Sequence, residues 1–416
     1  TYGDGGRPRI DAGGKYPAGL LLRNAAYWEI EGLEITNTNG TNGDQGRRFG
    51  ILVLAERTEG VFRHIVINNC YVHDVNGCVG GKGRGGIHVR IENCRSARFD
   101  GVRITNNRVE RVGGVGIATA SSCGYVEFRE NTTVGHNLWT DVLISGNFID
   151  RTGRNNMIIR ACRNAVCEYN TLANSSRADT GHSIFCFNCD GTLIQHNEAY
   201  GNAGDEGLDR GGFNADYNCV NTTIQYNYSH DNMWFCGIMK RRNRNVVIRY
   251  NISQNDRAGI YFYGFEESQE AENIHIYNNT HFVRKGLRVK VFAEDRTPIH
   301  SRFENNIFCF EGRGEWGAHA DGIDVSFRNN LYFNISPHPT DISAVVGNPL
   351  FVRPGSAGTN IDMRRKTALL GYQLQPNSPC IDAGVPVAGD GCRDILGNPV
   401  FRGHVDIGAF ERMWSP

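Results

Sequence analysis

One residue type returns at the same place in a repeating pattern along most of this chain. A short β-branched or aromatic run is followed by Asn and then by another hydrophobic residue, as in VINNCYV, LISGNFI, IQYNYSH, IRYNISQ and FRNNLYF. Aligned on that place are Asn37, Asn69, Asn107, Asn147, Asn170, Asn197, Asn227, Asn251, Asn279, Asn306 and Asn330. The gaps after Asn107 are 40, 23, 27, 30, 24, 28, 27 and 24 residues, and Asn131 in FRENTTV divides the first of them into 24 and 16. A period near 24 with occasional inserts is the mark of a solenoid. Each unit holds two or three short runs of strand composition, and no apolar spacing of i, i+3, i+4 is sustained. The expectation is an all-β chain wound as a parallel β-helix of ten or eleven coils. Equivalent residues of neighbouring coils then lie ~4.8 Å apart. Asn suits a turn in such a stack because it tolerates left-handed backbone and its amide both donates and accepts.

Composition agrees with this and excludes other classes. The 416 residues are 40% hydrophobic and 21% charged, neither a small disulfide scaffold nor a disordered chain. Gly at 51 against Pro at 12 fits many tight turns between short strands. Lys+Arg and Asp+Glu are both 44, so net charge gives no attraction to nucleic acid or to an anionic membrane. No run reaches the roughly 18 apolar residues of a membrane span. Cys123, Cys162, Cys189 and Cys219 each lie eight residues before an aligned asparagine, Asn131, Asn170, Asn197 and Asn227. They read as an inward stack of free thiols. No His-Cys spacing suits structural zinc. Asn131, Asn227 and Asn251 stand in N-x-S/T, but a ladder would bury them, which argues against glycan attachment.

The period fades over residues 347–412, where GNPLFV, NSPCIDAG, DILGNPV and DIGAFE follow one another. This text resembles the closing segment of many bacterial right-handed parallel β-helix proteins, notably carbohydrate-active ones. The resemblance implies a right-handed helix over 1–346, with 347–416 packed on it as a closing segment. It also implies a Cys380–Cys392 disulfide, and with it export to the periplasm or medium. The opening TYGDGGRPRI is similar to interior text of such proteins, which implies a preceding N-terminal cap.

A β-helix offers an extended face suited to a polymer. Asp216 and Lys240 each lie eleven residues before an aligned asparagine, Asn227 and Asn251. In that register Ala215 and Met239 point inward, and Asn214, Asp216, Ile238 and Lys240 point outward. A shift by one residue aims Lys240 into the core, a costly placement. The run KRRNRNVVIR at 240–249 and the group Arg284, Lys285, Arg288 and Lys290 form a basic face near Tyr261 and Tyr263, which are expected to stack on sugar rings. Such a face fits an anionic polysaccharide bound by a monomer. Cutting a uronate chain by β-elimination needs a base, a carboxylate neutraliser and an acid.

The chain thereby resembles β-helical polysaccharide lyases of the alginate lyase and chondroitinase B type. That resemblance implies catalytic roles for Lys240, Tyr263 and Arg242, and substrate binding by Arg160, His182, Asn214, Asp216, Arg241 and Tyr261. It implies no obligatory cofactor, with calcium at the carboxylate as an option drawing on Asp205, Glu206, Asp209 and Asp216. The alternatives are a glycoside hydrolase using a carboxylate pair among Glu206, Asp209 and Asp216, and a non-enzymatic carbohydrate-binding adhesin. Polygalacturonases are excluded, since GHS at 181–183 precedes NAD at 214–216 and no Asp-Asp pair occurs.

Overall fold

A computed structural model describes residues 5–41, 43–77, 80–94, 96–123, 137–202, 209–239, 242–264, 271–388, 393–400 and 403–413. The chain is a right-handed parallel β-helix with three sheets of thirteen, ten and thirteen strands. Each coil visits the sheets in turn. One runs through Thr140–Ser145 in the third sheet, Phe148–Thr152 in the first and Met157–Arg160 in the second, then Val166–Glu168 returns to the third. Alternation turns Ile144, Ile149, Met157, Ile159 and Cys167 into one continuous core. Among the described residues no helix is long and apolar enough to cross a membrane.

The asparagine ladder is real from Asn107 to Asn330, and every rung is buried. Asn147 Oδ1 accepts both the backbone N–H and the Nδ2–H of Asn107, each at 3.0 Å, and Asn107 Nδ2 also donates to the Ile67 carbonyl at 2.9 Å. The same trio recurs at Asn170, Asn197, Asn227, Asn251, Asn279 and Asn306. The left-handed residue is the one before the rung, as at Tyr169, His196 and Tyr226, with φ of 54°, 54° and 57°. The rung itself is selected for its amide. At the far end Asn330 donates its N–H and Nδ2–H to Asp341 Oδ2, at 3.1 and 2.9 Å.

Two aligned asparagines among the described residues are not rungs. Cys70, beside Asn69, holds the ladder position and donates its N–H to Asn107 Oδ1 at 2.9 Å. Asn37 instead ties the Tyr16 and Phe49 carbonyls. Asn131 lies outside the described residues, and the direct pairing of Arg108–Val112 with Phe148–Thr152 leaves no coil between Asn107 and Asn147. We expect Asn227→Ala to lower stability by about 3 kcal/mol, since it strands the buried donors of Asn197. Denaturant unfolding checks this; a change under 1 kcal/mol would contradict it.

Cys162, Cys189 and Cys219 stack on adjacent coils as buried free thiols. Cys380 is buried, and its expected partner Cys392 lies outside the described residues. Residues from Phe351 to Phe410 pack on the outer face of the first sheet against Tyr228, Ile252, Phe282 and Ile307. Tyr372 donates to Gln254 Oε1 at 2.7 Å across that contact. This covering leaves the outer faces of the second and third sheets for other contacts.

Candidate functional site

The second sheet is apolar on both sides. Its inner face joins the core, while Phe185 and Ile158 form one outward cluster and Trp234, Met239 and Phe262 another. Trp234 stacks on Phe262 at 4.5 Å between ring centroids. Gly211 makes room for that indole, because a Cβ there would lie 2.2 Å from Trp234 Nε1. Gly237 does the same for Asn214, whose Oδ1 would be 2.9 Å from a Cβ.

Register across the sheet corrects the expected alignment. Ala215 pairs with Ile238, both inward, so Asp216 falls next to Met239 and not to Lys240. The strand Trp234–Met239 ends there, and Lys240 and Arg241 lie outside the described residues. The chain then turns a corner at Arg242, with φ of 68°, into Asn243–Arg249 of the third sheet. Arg244 pairs with Glu272 at 3.4 Å, and Arg249 donates to Gln225 and Tyr277. The basic run therefore follows a different sheet from Asp216.

Tyr261 and Tyr263 are core residues, 0% and 1% exposed. Their hydroxyls meet His281 Nε2 and Ser301 Oγ, each at 2.8 Å. Burial pushes both phenols up, and neither reaches a sugar. Phe262, between them, is the outward ring.

What the outer face does bring within electrostatic reach of one another is a lysine, Lys82, and two carboxylates, Asp216 and Asp209. Asp216 follows the strand Phe213–Ala215, and its N–H donates to the Cys186 carbonyl at 3.1 Å. Asp209 is held by its carbonyl, which accepts from Gly181 N–H at 2.6 Å. Lys82 comes from the glycine-rich turn before Gly85–Glu92 and lies over the Phe185 ring at 4.5 Å, three rungs along. Burial pushes its pKa down to about 8, with the Asp216 and Asp209 charges opposing the fall and Arg160 and Arg154 adding to it. Nothing in the residue pattern marked Lys82, which stands 134 residues before Asp216.

Besides Asp216, three more of the expected binding residues lie here. Arg160 ends its strand with its guanidinium 5.9 and 5.2 Å from the Phe185 and Phe187 ring centroids. His182 is buried, and its Nδ1 accepts from Gly211 N–H at 3.2 Å. That acceptance places the ring proton on Nε2, which faces Met239 Sδ at 3.1 Å and Asp209 Oδ1 at 4.0 Å. Asn214 points outward but is fully buried, and neither Oδ1 nor Nδ2 has a hydrogen-bond partner. An orphaned carboxamide of this kind is costly and calls for a reason. Asp205 and Glu206 lie outside the described residues, and among those described no three His, Cys, Asp or Glu are placed to hold a metal ion.

No protein-family model matches the chain. A curated relative, a lacto-N-biosidase of Bifidobacterium longum subsp. longum, is 28% identical over 94% of this chain; the chain spans 29% of that protein's length. Two crystal structures of a GH136 lacto-N-biosidase from Eubacterium ramulus, a selenomethionine derivative and the native protein, share the fold. Their TM-scores are 0.61 and 0.58 at 20% identity, over 81% and 78% of this chain and 57% and 56% of theirs. Similarity to a glycoside hydrolase overturns the lyase reading and its alginate substrate. The geometry had already removed the tyrosines and the lysine–aspartate register on which that reading stood. The coarser resemblance, to carbohydrate-active parallel β-helix proteins, stands.

Proposed function

We propose that this chain carries the active site of a glycoside hydrolase, with Asp209 and Asp216 as its carboxylate pair. The observation that carries this is an apolar, aromatic-floored face of the second sheet on which Lys82, lying over the Phe185 ring, feels the charges of both Asp216 and Asp209. Glycosidic cleavage needs one carboxyl group to protonate the leaving oxygen. The other, as carboxylate, attacks the anomeric carbon or activates water there. The Lys82 ammonium opposes the charges of both, and Phe185, Trp234 and Phe262 offer flat apolar surface for sugar rings. The relative's name makes a lacto-N-bioside the first substrate to test. Released reducing ends without absorbance near 235 nm support hydrolysis; an unsaturated product would sink it.

Asn214 is assigned to substrate binding on the same face. Asn214 and the flexible Met239 side chain both border the space left by Gly237. Asn214→Leu removes an unsatisfied polar group and is expected to hold or raise Tm. It is also expected to cut kcat/KM about 100-fold, as the sugar loses its polar partner. A purely structural Asn would show the opposite, lower Tm with kcat/KM unchanged.

A further inference from the structure

The sequence spells Tyr-x-His-Asp twice, as YVHD at 71–74 and YSHD at 228–231. Register places Tyr71 and Tyr228 in one row of the first sheet, and both copies build the same cluster on it. His73 stacks on Tyr71 and His230 on Tyr228, at 4.0 and 4.6 Å between ring centroids. Each Nδ1 meets the carboxylate of the next residue, Asp74 Oδ2 at 2.6 Å and Asp231 Oδ2 at 2.9 Å. Each Nε2 meets a glutamate one coil back, Glu34 Oε1 at 3.3 Å and Glu198 Oε1 at 3.2 Å. The recurrence follows from the winding, since Glu34 pairs with Tyr71 and Glu198 with Tyr228.

The copies differ in what covers them. The closing segment crosses the second. Ile361 N–H donates to Glu198 Oε2 at 3.0 Å, Tyr200 donates to Asn360 Oδ1 at 2.9 Å, and Tyr228 and Gln254 donate to the Ala357 carbonyl at 3.3 and 3.2 Å. Tyr200 also stacks on the His230 ring at 4.8 Å. Glu198 and His230 are 0% and 1% exposed. In the first copy the Glu34 side chain stays 27% exposed, with Arg9 at 3.6 Å.

A carboxylate accepts hydrogen bonds and offers none, so a ring with one at each nitrogen carries both hydrogens. His230 is thus an imidazolium, and it balances the buried Glu198. Burial pulls its pKa down, but the bonds to Asp231 and Glu198 outweigh that and hold it above the ordinary histidine value. Arg257 and Arg284 act on Asp231, the His230 charge reaches Asp256, and Asp150 acts on Tyr200. If the ring loses its proton, Glu198 is left as a dry, unanswered charge, which is costly until water reaches it. Lifting Ile361 off its Oε2 admits that water.

We propose that Glu198, His230 and Asp231 form a pH-sensitive latch, which holds residues 357–361 of the closing segment on the first sheet while His230 is charged and releases them when it is neutral. The latch uses none of the residues assigned to hydrolysis and does not depend on that reading. Release is local, because Asn278 still donates to the Asp406 and Gly408 carbonyls further along the segment, at 2.9 and 3.0 Å. With the folded pKa raised, the stabilisation is complete below the unfolded value of about 6.5 and is lost as pH rises through the folded one.

The test is hydrogen exchange of the full chain at about pH 6 and about pH 8, corrected for intrinsic rates. In the wild type, amides 357–361 are expected to exchange about tenfold faster at the higher pH while the ladder coils keep their protection. His230→Gln is expected to exchange fast at both. Glu198→Gln still accepts from Ile361 and needs no counter-charge, so slow exchange at both is expected, and it carries the test alone if His230→Gln does not fold. His73→Gln makes the same change in the uncovered copy and is expected to behave as wild type. Protection of 357–361 that does not change with pH in the wild type overturns the latch. So does wild-type pH dependence in Glu198→Gln, or loosening by His73→Gln equal to that by His230→Gln.

Discussion

Asp216→Asn and Asp209→Asn are each expected to lower kcat by about 1,000-fold or more while leaving the β-helix folded. A positioned proton donor or acceptor contributes roughly 100- to 10,000-fold, and losing the nucleophile or base costs as much. Neither side chain is part of the inward stack. Asp216 sits one residue beyond its strand on the outward row, and Asp209 is anchored mainly through its backbone carbonyl to Gly181. The amides preserve shape and remove charge, so Tm is expected to move by only a few degrees. Activity within tenfold of wild type in either variant would remove that residue from the mechanism. The anomeric form first released, read by NMR, tells whether the pair retains or inverts configuration.

The second large effect is a loss of activity with rising pH, set by Lys82. Burial pushes its pKa down to about 8, so the ammonium between the two carboxylates is present below that value and disappears above it. Activity is expected to fall as pH rises through about 8, because the carboxylates then face each other without a balancing charge. The sign for stability is opposite. The unfolded chain holds the Lys82 proton up to the usual lysine range, so folding releases it between about 8 and that range. Stability from this group therefore increases with pH across the interval. An alkaline limb in kcat unaccompanied by any fall in Tm is the expected signature. Lys82→Met is expected to lose about 100-fold at neutral pH and to lack the limb. A limb that persists in Lys82→Met assigns the titration elsewhere.

The fold was legible because one side chain has a job that few others perform. A rung must accept from the coil before and donate to the coil after while buried, and Asn alone brings both capacities at that length. Where a neighbour happened to be Asn, as at Asn69 beside Cys70, the pattern misled by one residue. The site was harder to read for a physical reason. WFCGIM at 234–239 is buried on both faces, so alternation of polar and apolar residues, the usual cue to inside and outside, is missing. The expected register placed Ile238 outward and Met239 inward, and the structure reverses them. Tyr261 and Tyr263 went wrong in the same way, since their hydroxyls find partners inside the core. Asn214 was correctly aimed outward, and Asp209 and Asp216, named among the acids of the hydrolase alternative, are the two whose charges act on Lys82. Lys82 was invisible because only the solenoid brings it over Phe185, more than a hundred residues on in the sequence.

The asparagine column also carries an arrow. Every rung hands its hydrogens forward, and the carboxylate of Asp341 takes them and offers none in return. It works as a stop signal for growth by duplication: a coil copied between Asn107 and Asn330 inherits a giver and a taker, while one added after Asp341 finds no donor waiting. Variation in the number of coils among descendants of this chain should thus arise before that point, lengthening the working face without disturbing its closed end.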